Sequence, residues 1–415
     1  SKIDNDAKII FQLERKEGRQ LRMKEMIDVT HFPEYYQSLI NDYGSPLLIL
    51  DKATIRHQYA ELSRALPNVT LHYALKPLPH PTMVEVLNEL GASFDLATNG
   101  EVDLVKSFNV NPAKCIHTHP IKKESDIEYA LNFGNKIFVF DNEAELTKLY
   151  KFKDQVKLLL RVSFPNPETK VDLSKKFGCL PEHVLPLLHR AKILGFDIEG
   201  LSFHVGSQVP NPKRHVEAIN SCVSLIHEAI EQGFEIRTLD IGGGFPVDYD
   251  NAQITDIYSF CEPIREALSH LNSSVRVIAE PGRFLSAPVM TNICSVVGKA
   301  ERFGKPWYYL DDGIYCSYSG QLFDHVIYPK YTDKQYSQTK SSVLAGPTCD
   351  SIDVIAEDIQ MPTLEMGDLI IGKMMGAYTI STGTTFNFIE KTKIVTIDTE
   401  AECPYVFNKE MAIAA

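Results

Sequence analysis

Residues 71–97 read LHYALKPLPHPTMVEVLNELGASFDLA, a short apolar run followed by a helical segment and a second apolar run. In the middle segment Met83, Val86, Leu87 and Leu90 recur at the spacing of one helix face, and Gly91 ends the pattern. The alternation continues from residue 47 to about residue 280, with eight such runs at 71–76, 93–97, 115–118, 137–141, 157–163, 200–205, 237–241 and 275–280. Because each helix can cover one strand and closure leaves no sheet edge, the pattern predicts an α/β fold with a (β/α)8 barrel.

Beyond residue 284 the pattern changes to strand-like runs with few helical stripes, at 289–297, 307–310 and 369–371. This texture predicts a C-terminal β-rich domain. The first 43 residues are charged, with one short helical candidate near 33–41. We therefore expect three parts, which are an N-terminal arm at 1–43 that packs with the β-rich domain, a barrel at 44–283 and the β-rich domain at 284–415.

The composition limits the classes of partner. A net charge of −12, from 54 acidic and 42 basic residues, does not attract phosphate backbones or anionic lipid, so neither nucleic acid nor a membrane is expected. The eight cysteines form no CxxC pair, which argues against zinc and redox motifs, and no metal site is predicted. Their scatter, together with the lack of a long apolar run or a signal-peptide pattern, predicts a cytoplasmic protein with reduced thiols.

Polar residues stand at or near the ends of nearly all the predicted strands, where barrel active sites collect. They are Lys76, Asp95, His117, His119, Arg161, His204, the glycines 242–244 and Glu280. Taken alone, each of them could equally be a solvated loop residue, and each histidine could be a core residue. Their coincidence around one rim favours a functional site.

Two features of the rim suggest specific chemistry. Lys76 lies on an expected buried strand, where an amine that loses its proton can form a Schiff base, although it could also extend outward to water. Gly243 and Gly244 follow the seventh strand, where backbone N–H groups can bind an anion, and Ser207 and Arg283 add a hydroxyl and a charge. An amine and a phosphate site on one rim describe a pocket for pyridoxal 5'-phosphate, with Glu280 on the pyridine nitrogen and His204 stacked on the ring.

The order of the motifs resembles a known family. The motifs YALK, FDLAT, LLLRV, SFHVGSQ, LDIGGGFP, AEPGR, GPTCDSID and GAYT with FNF resemble the fold-type III pyridoxal-phosphate decarboxylases of the ornithine and diaminopimelate decarboxylase group, from about residue 45 to 390. The likeness is greatest to bacterial enzymes that act on lysine and ornithine. It implies an alanine-racemase-like architecture, pyridoxal phosphate as cofactor and conversion of ornithine to putrescine or lysine to cadaverine, which are steps of polyamine biosynthesis.

The resemblance also implies residue roles. Lys76, Glu280, His204 and Cys349 are catalytic, and Cys349 is the acid that protonates the substrate α-carbon. The cofactor-binding residues are Lys76, Asp95, Arg161, His204, Ser207, Gly243, Gly244, Glu280, Gly282, Arg283 and Tyr378. The substrate-binding residues are Asp324, Asp350 and Phe386. Such enzymes are homodimers with shared sites, so Cys349 and Asp350 are expected to act in the partner's site.

The chain departs from the family in one place, where YALKPLPH replaces the frequent YAVKCN and Pro77 and Pro79 stiffen the segment. Other functions stay open at this point. A diaminopimelate decarboxylase needs cations for a second carboxylate, which CDSID lacks, whereas a carboxynorspermidine decarboxylase is less easily excluded. A racemase of the same barrel class needs two bases on opposite ring faces. A catalytically silent regulatory homologue is expected to have lost Lys76 or Cys349, and both are present.

Overall fold

A computed structural model describes residues 25–26, 28–165, 173–249, 256–335 and 338–401. The chain divides into two compact units. Of the described residues, one unit contains those in 49–291, 374–381 and 394–401, and the other contains those in 25–48, 292–373 and 382–393.

The first unit is a closed barrel of eight parallel strands in sequence order. Its strands are Val69–Ala74, Ser93–Leu96, Cys115–His117, Ile137–Phe140, Lys157–Val162, Asp197–Phe203, Thr238–Asp240 and Arg276–Ala279. The eighth strand pairs with the first, Val277 opposite Val69, and this pairing closes the barrel. All eight predicted strands are present, and the predicted fold class is confirmed.

Helices separate the strands and cover them with apolar faces. They are Lys52–Ala65, Pro81–Glu89, Asn99–Ser107, Glu124–Phe133, Glu143–Leu149, Val184–Ile193, Lys213–Glu231 and Ile257–Leu268. In Pro81–Glu89 the stripe residues Met83, Val86 and Leu87 are buried, as the spacing predicts. The helix Asn99–Ser107 begins at a capping box, in which Thr98 Oγ1 accepts from the Glu101 N–H. None of the helices within the described ranges is long and apolar enough to cross a membrane.

The second unit is β-rich, as predicted. Its sheet contains Met290–Arg302, Lys305–Leu310, Lys330–Thr332, Lys340–Ala345, Val354–Met361 and Leu369–Gly372. The strands Leu47–Asp51 and Lys393–Ile397, which cross the unit boundaries, pair with each other. Two short strands of the N-terminal arm join the same sheet, since Glu25–Met26 pairs with Val354–Met361 and Asp28–Val29 pairs with Lys330–Thr332. The arm's helix is Glu34–Tyr43, and residues 1–24 lie outside the described part.

The unit boundaries differ from the linear division that the sequence suggested. They lie at 48/49 and 291/292 instead of 43/44 and 283/284, and residues 374–381 and 394–401 belong with the barrel. Specific bonds hold these two segments on the barrel unit. The Tyr378 N–H donates to the Pro77 carbonyl at 3.1 Å, and Arg56 forms an ion pair with Asp398 at 2.6 Å.

The barrel wall has a position that admits only glycine. A Cβ on Gly200 would lie 1.8 Å from the Thr238 carbonyl oxygen of the next strand. We expect Gly200→Ala to lower the free energy of unfolding by about 3 kcal/mol or more, because backbone and not a flexible side chain would have to move. Urea unfolding followed by circular dichroism measures this loss.

Gly100→Ala is the matched control for that substitution. Gly100 lies in the helix Asn99–Ser107, and a Cβ at this position would have no other atom within 4 Å. Alanine is therefore expected to stabilise the helix by up to about 1 kcal/mol. Equal stability of the two variants would contradict the close strand contact.

Candidate active site

The carboxyl ends of the barrel strands bring the predicted rim residues together. Asp95 lies in the second strand and Arg161 in the fifth, while His204 and Glu280 directly follow the sixth and eighth strands. Since all eight strands are parallel, these ends meet on one face of the barrel. Residues that are far apart in the sequence therefore share one site.

Three carboxyl groups surround one guanidinium at the centre of this face. Burial raises the pKa of Glu280 and of Asp95 well above the ordinary range, and each is raised further by a neighbouring carboxyl. Burial also raises the pKa of Asp240 to about 6, although its Oδ1 accepts the Gly242 N–H at 2.9 Å. Burial lowers the pKa of Arg161, while these three carboxyl groups and Asp141 raise it. Three buried acids beside one base, with Asp141 as a fourth acid, favour a further cationic group at this point.

His204 presents a neutral imidazole to the same face. Its Nδ1 accepts the Gly206 N–H at 3.0 Å, which leaves the ring proton on Nε2. Burial, followed by the charges of Lys76 and Arg161, lowers the pKa of His204 well below 6.5. An uncharged flat ring in this position can pack against the face of an aromatic ligand.

The glycine loop after the seventh strand requires its glycines. Gly242 and Gly244 have φ values of +66° and +90°, and a Cβ on Gly242 would lie 2.3 Å from the Phe203 carbonyl oxygen. His215 holds the loop, because its Nε2 lies 2.8 Å from the Gly243 carbonyl oxygen. Burial lowers the pKa of His215 to about 4, so this imidazole is neutral and Nε2 is the donor.

Arg283 gathers hydroxyl groups beside that loop. Its side chain is only 4% exposed, and it donates to Ser207 Oγ at 2.9 and 3.1 Å and to the Tyr249 hydroxyl at 2.6 Å. The guanidinium carbon lies 4.9 Å from the centre of the Tyr378 ring. A buried guanidinium with neighbouring hydroxyls and glycine N–H groups is a suitable site for a phosphate. Tyr249 had no recognisable sequence signal and was missed.

The position predicted for Lys76 is wrong in one respect. The first strand ends at Ala74, and Lys76 lies two residues beyond it with an exposed side chain. The strand ends early because the chain turns at Pro77, where the Leu78 N–H donates to the Leu75 carbonyl at 3.1 Å. The charge of Lys76 nevertheless acts on this face of the barrel, since it lowers the pKa values of both His204 and Glu101.

These residues fit pyridoxal phosphate group by group. The amine of Lys76 suits the cofactor's carbonyl, the acidic cluster around Glu280 suits a protonated pyridine nitrogen, and Arg283 with Ser207 suits the phosphate. A Cβ on Gly243 would lie 3.4 Å from His204 Nε2 and 2.8 Å from the Glu280 carbonyl oxygen, so glycine keeps this space open.

The second unit contains the other predicted residues. Asp350 accepts a short hydrogen bond from the Tyr315 hydroxyl, and the Tyr315 ring stacks on Phe386 at 4.4 Å between centres. This hydrogen bond lowers the pKa of Asp350 and raises the pKa of Tyr315 to about 12, so Asp350 is anionic at neutral pH. Tyr315 was missed in the sequence because a lone tyrosine has no spacing signal.

Cys349 is exposed next to this group, and its N–H donates to Asn387 Oδ1 at 2.7 Å. The buried Asp353 shapes the loop by accepting the Ile314 and Thr348 N–H groups at 3.1 and 3.0 Å. Asp324 follows the short helix Gly320–Phe323 and is half-buried. It is not among the residues that line the cleft beside Tyr315 and Phe386.

Comparison with known proteins identifies a family and relatives that this chain resembles. The model of the family described as "Pyridoxal-dependent decarboxylase, pyridoxal binding domain" matches residues 52–287. A lysine/ornithine decarboxylase of Selenomonas ruminantium is 34% identical over 351 residues, covering 85% of this chain and 89% of that protein. Antizyme inhibitor 2 of Xenopus laevis is also 34% identical, over 364 residues, covering 83% of this chain and 79% of that protein.

Solved structures of the lysine/ornithine decarboxylase of Vibrio vulnificus are more similar still. The complex with putrescine is 52% identical with a TM-score of 0.84 and covers 88% of this chain and 97% of that one. The complex with cadaverine is 53% identical with a TM-score of 0.84 and covers 88% and 98%. Since the family model spans more than half of the chain and these relatives cover most of it, the chain belongs to the pyridoxal-dependent amino acid decarboxylases, and pyridoxal phosphate is its cofactor.

Proposed function

We propose that this enzyme decarboxylates ornithine and lysine to putrescine and cadaverine. The observation that carries the proposal is the anionic Asp350 held by Tyr315, which suits a substrate with a distal ammonium group. The Vibrio vulnificus relative, whose complexes contain putrescine and cadaverine, supports the same substrate class. Diaminopimelate is disfavoured, because its second carboxylate would be repelled by Asp350.

The barrel geometry supports the following roles for the cofactor-binding residues. Lys76 would hold the cofactor covalently, Arg283, Ser207 and Tyr378 would bind its phosphate, and His204 would pack on its ring. Glu280 would accept a hydrogen bond from the ring nitrogen, supported by Asp95 and Arg161. When bound, the cofactor withdraws electrons from the substrate α-carbon as carbon dioxide leaves. Cys349 would supply a proton to that carbon.

We also propose that two copies of the chain share their active sites, with Cys349 and Asp350 acting in the partner's site. The surface near these residues supports this, since Phe388 is fully exposed and Ile352 is 57% exposed. Asn387 and Phe388 have φ values of +57° and +60°, a conformation that non-glycine residues adopt at a cost of ~1–3 kcal/mol each and that is frequent at functional sites.

The likeness to antizyme inhibitor 2 keeps a regulatory function as an alternative. Lys76 and Cys349 favour catalysis over a silent regulator, because neither is needed for a binding partner alone. A carboxynorspermidine substrate and the cytoplasmic location stay predictions.

Changing Lys76 tests the cofactor assignment. Lys76→Ala is expected to abolish turnover and the visible absorbance of the purified protein, because the amine that bonds to the cofactor is lost. Lys106→Ala is the control, since Lys106 is exposed on the helix Asn99–Ser107. Turnover and absorbance at the control's level in Lys76→Ala would overturn the assignment.

Changing Asp350 tests the substrate class. Asp350→Asn is expected to raise KM for both ornithine and lysine by about 10- to 100-fold, because a charge-assisted hydrogen bond contributes ~1.5–3 kcal/mol. The visible absorbance is expected to be unchanged. Norleucine and diaminopimelate are expected to be poor substrates of the unaltered enzyme in competition assays, and efficient turnover of either would contradict the acidic pocket.

Mixing two inactive variants tests the shared site. Lys76→Ala and Cys349→Ala, each deficient in amine formation, are expected to recover about a quarter of the activity on mixing, since half of the dimers would carry one intact site. Product amine is measured after subunit exchange has been verified by mass spectrometry. No recovery after verified exchange would indicate self-contained protomers.

A further inference from the structure

Thr118 lies between the two histidines that the sequence singled out, and it is the residue that contacts the acidic cluster. Its hydroxyl donates a short hydrogen bond to Asp95 Oδ1. Its N–H donates to the Leu96 carbonyl at 2.9 Å, which fixes its backbone against the second strand. Thr118 therefore has a set orientation towards Asp95.

The neighbouring histidines are engaged elsewhere. The His117 ring is buried and stacks on Phe138 at 5.5 Å, and His119 meets the edge of Phe177 at 5.7 Å. His119 Nδ1 accepts the Ile121 N–H at 3.2 Å, which shapes the loop. Neither histidine has Asp95 among these contacts.

A buried ion pair anchors the loop that carries Thr118. Lys122 Nζ donates to the carbonyls of His119, Pro120 and Val139 at 2.9, 3.2 and 2.6 Å, and lies 3.3 Å from Glu145 Oε1. Glu145 Oε1 also accepts the Lys122 N–H at 2.8 Å. Both side chains are nearly inaccessible, at 1% and 3% exposure. Such a pair is costly to bury but holds its partners in one geometry.

Four titratable side chains from other parts of the barrel interact with Asp95. Glu280, Asp240 and Glu101 are acidic, and Arg161 is the one base among these four neighbours. Burial and Glu280 raise the pKa of Asp95, whereas the hydrogen bond from Thr118 lowers it. Thr118 thus favours the ionised form of Asp95 in surroundings that oppose it.

We propose that Thr118 is a positioning residue of the cofactor site, whose hydroxyl holds the Asp95 carboxylate beside Glu280 while the Lys122–Glu145 pair fixes the loop that carries it. The inference rests on the proposed role of Glu280 at the ring nitrogen. An ionised Asp95 adds negative charge there and so favours the protonated ring.

The test measures cofactor affinity in the apoprotein, by fluorescence titration with pyridoxal phosphate between about pH 5 and pH 9. Thr118→Val keeps the shape but removes the donor, so Asp95 stays protonated to higher pH. The curve of pyridoxal phosphate affinity against pH is therefore expected to shift to higher pH by about one unit. Thr118→Ser keeps the donor and is expected to follow the unaltered protein, and Thr118→Ala is expected to shift as Thr118→Val does.

Thr238→Val is the matched control. Thr238 Oγ1 donates to the buried Glu199 at 2.7 Å, which is the same type of bond at the first residue of the seventh strand. This variant is expected to lose thermal stability with no shift of the curve. A Thr118→Val curve that coincides with the unaltered one, or an equal shift in Thr118→Ser, would overturn the proposal.

Glu280→Gln separates this inference from the function on which it rests. If Glu280→Gln loses affinity and Thr118→Val keeps the unaltered curve, the role of Thr118 is wrong and the ring-nitrogen site stands. If Glu280→Gln binds pyridoxal phosphate as tightly as the unaltered protein at every pH, the site assignment fails and the inference fails with it.

Discussion

The burial of three carboxyl groups around a single guanidinium is the constraint on which the active face depends. Burial raises the pKa of each of these groups, Asp95, Asp240 and Glu280, and Arg161 can neutralise only one of them. Ionising all three carboxyl groups in this low-dielectric interior is unfavourable, and a bound cation would make their ionisation easier. The same burial thus favours a cationic pyridine ring over neutral ligands.

The sequence predicted what regular spacing encodes. Eight apolar runs located the eight strands, and the glycines before Phe245 located the tight loop after the seventh strand, because both patterns are local. Hydrogen-bond partners such as Tyr249 and Thr118 were missed, since each is one polar residue in a loop and its partner is distant in the chain. The first barrel strand was predicted to end two residues too late, at Lys76, because an apolar run does not show where pairing stops.

Domain boundaries were the least predictable feature. Residues 374–381 follow several strands of the β-rich unit, yet they return to the barrel, where Tyr378 lies under Arg283. Nothing in the composition of this segment marks the change. A prediction of boundaries from local sequence pattern assumes that the chain leaves each domain only once. This chain, however, passes between its two units several times.

The seam between the last and first barrel strands has a consequence for the order of folding. The Ala74 N–H donates to the Pro281 carbonyl at 3.1 Å, and a Cβ on Gly282 would lie 3.0 Å from Pro77. Lys76 and Glu280 flank this seam, although most of the barrel sequence separates them in the chain. During synthesis the first strand can pair with the second at once, but the seam that brings Lys76 and Glu280 together can close only after the eighth strand has been made.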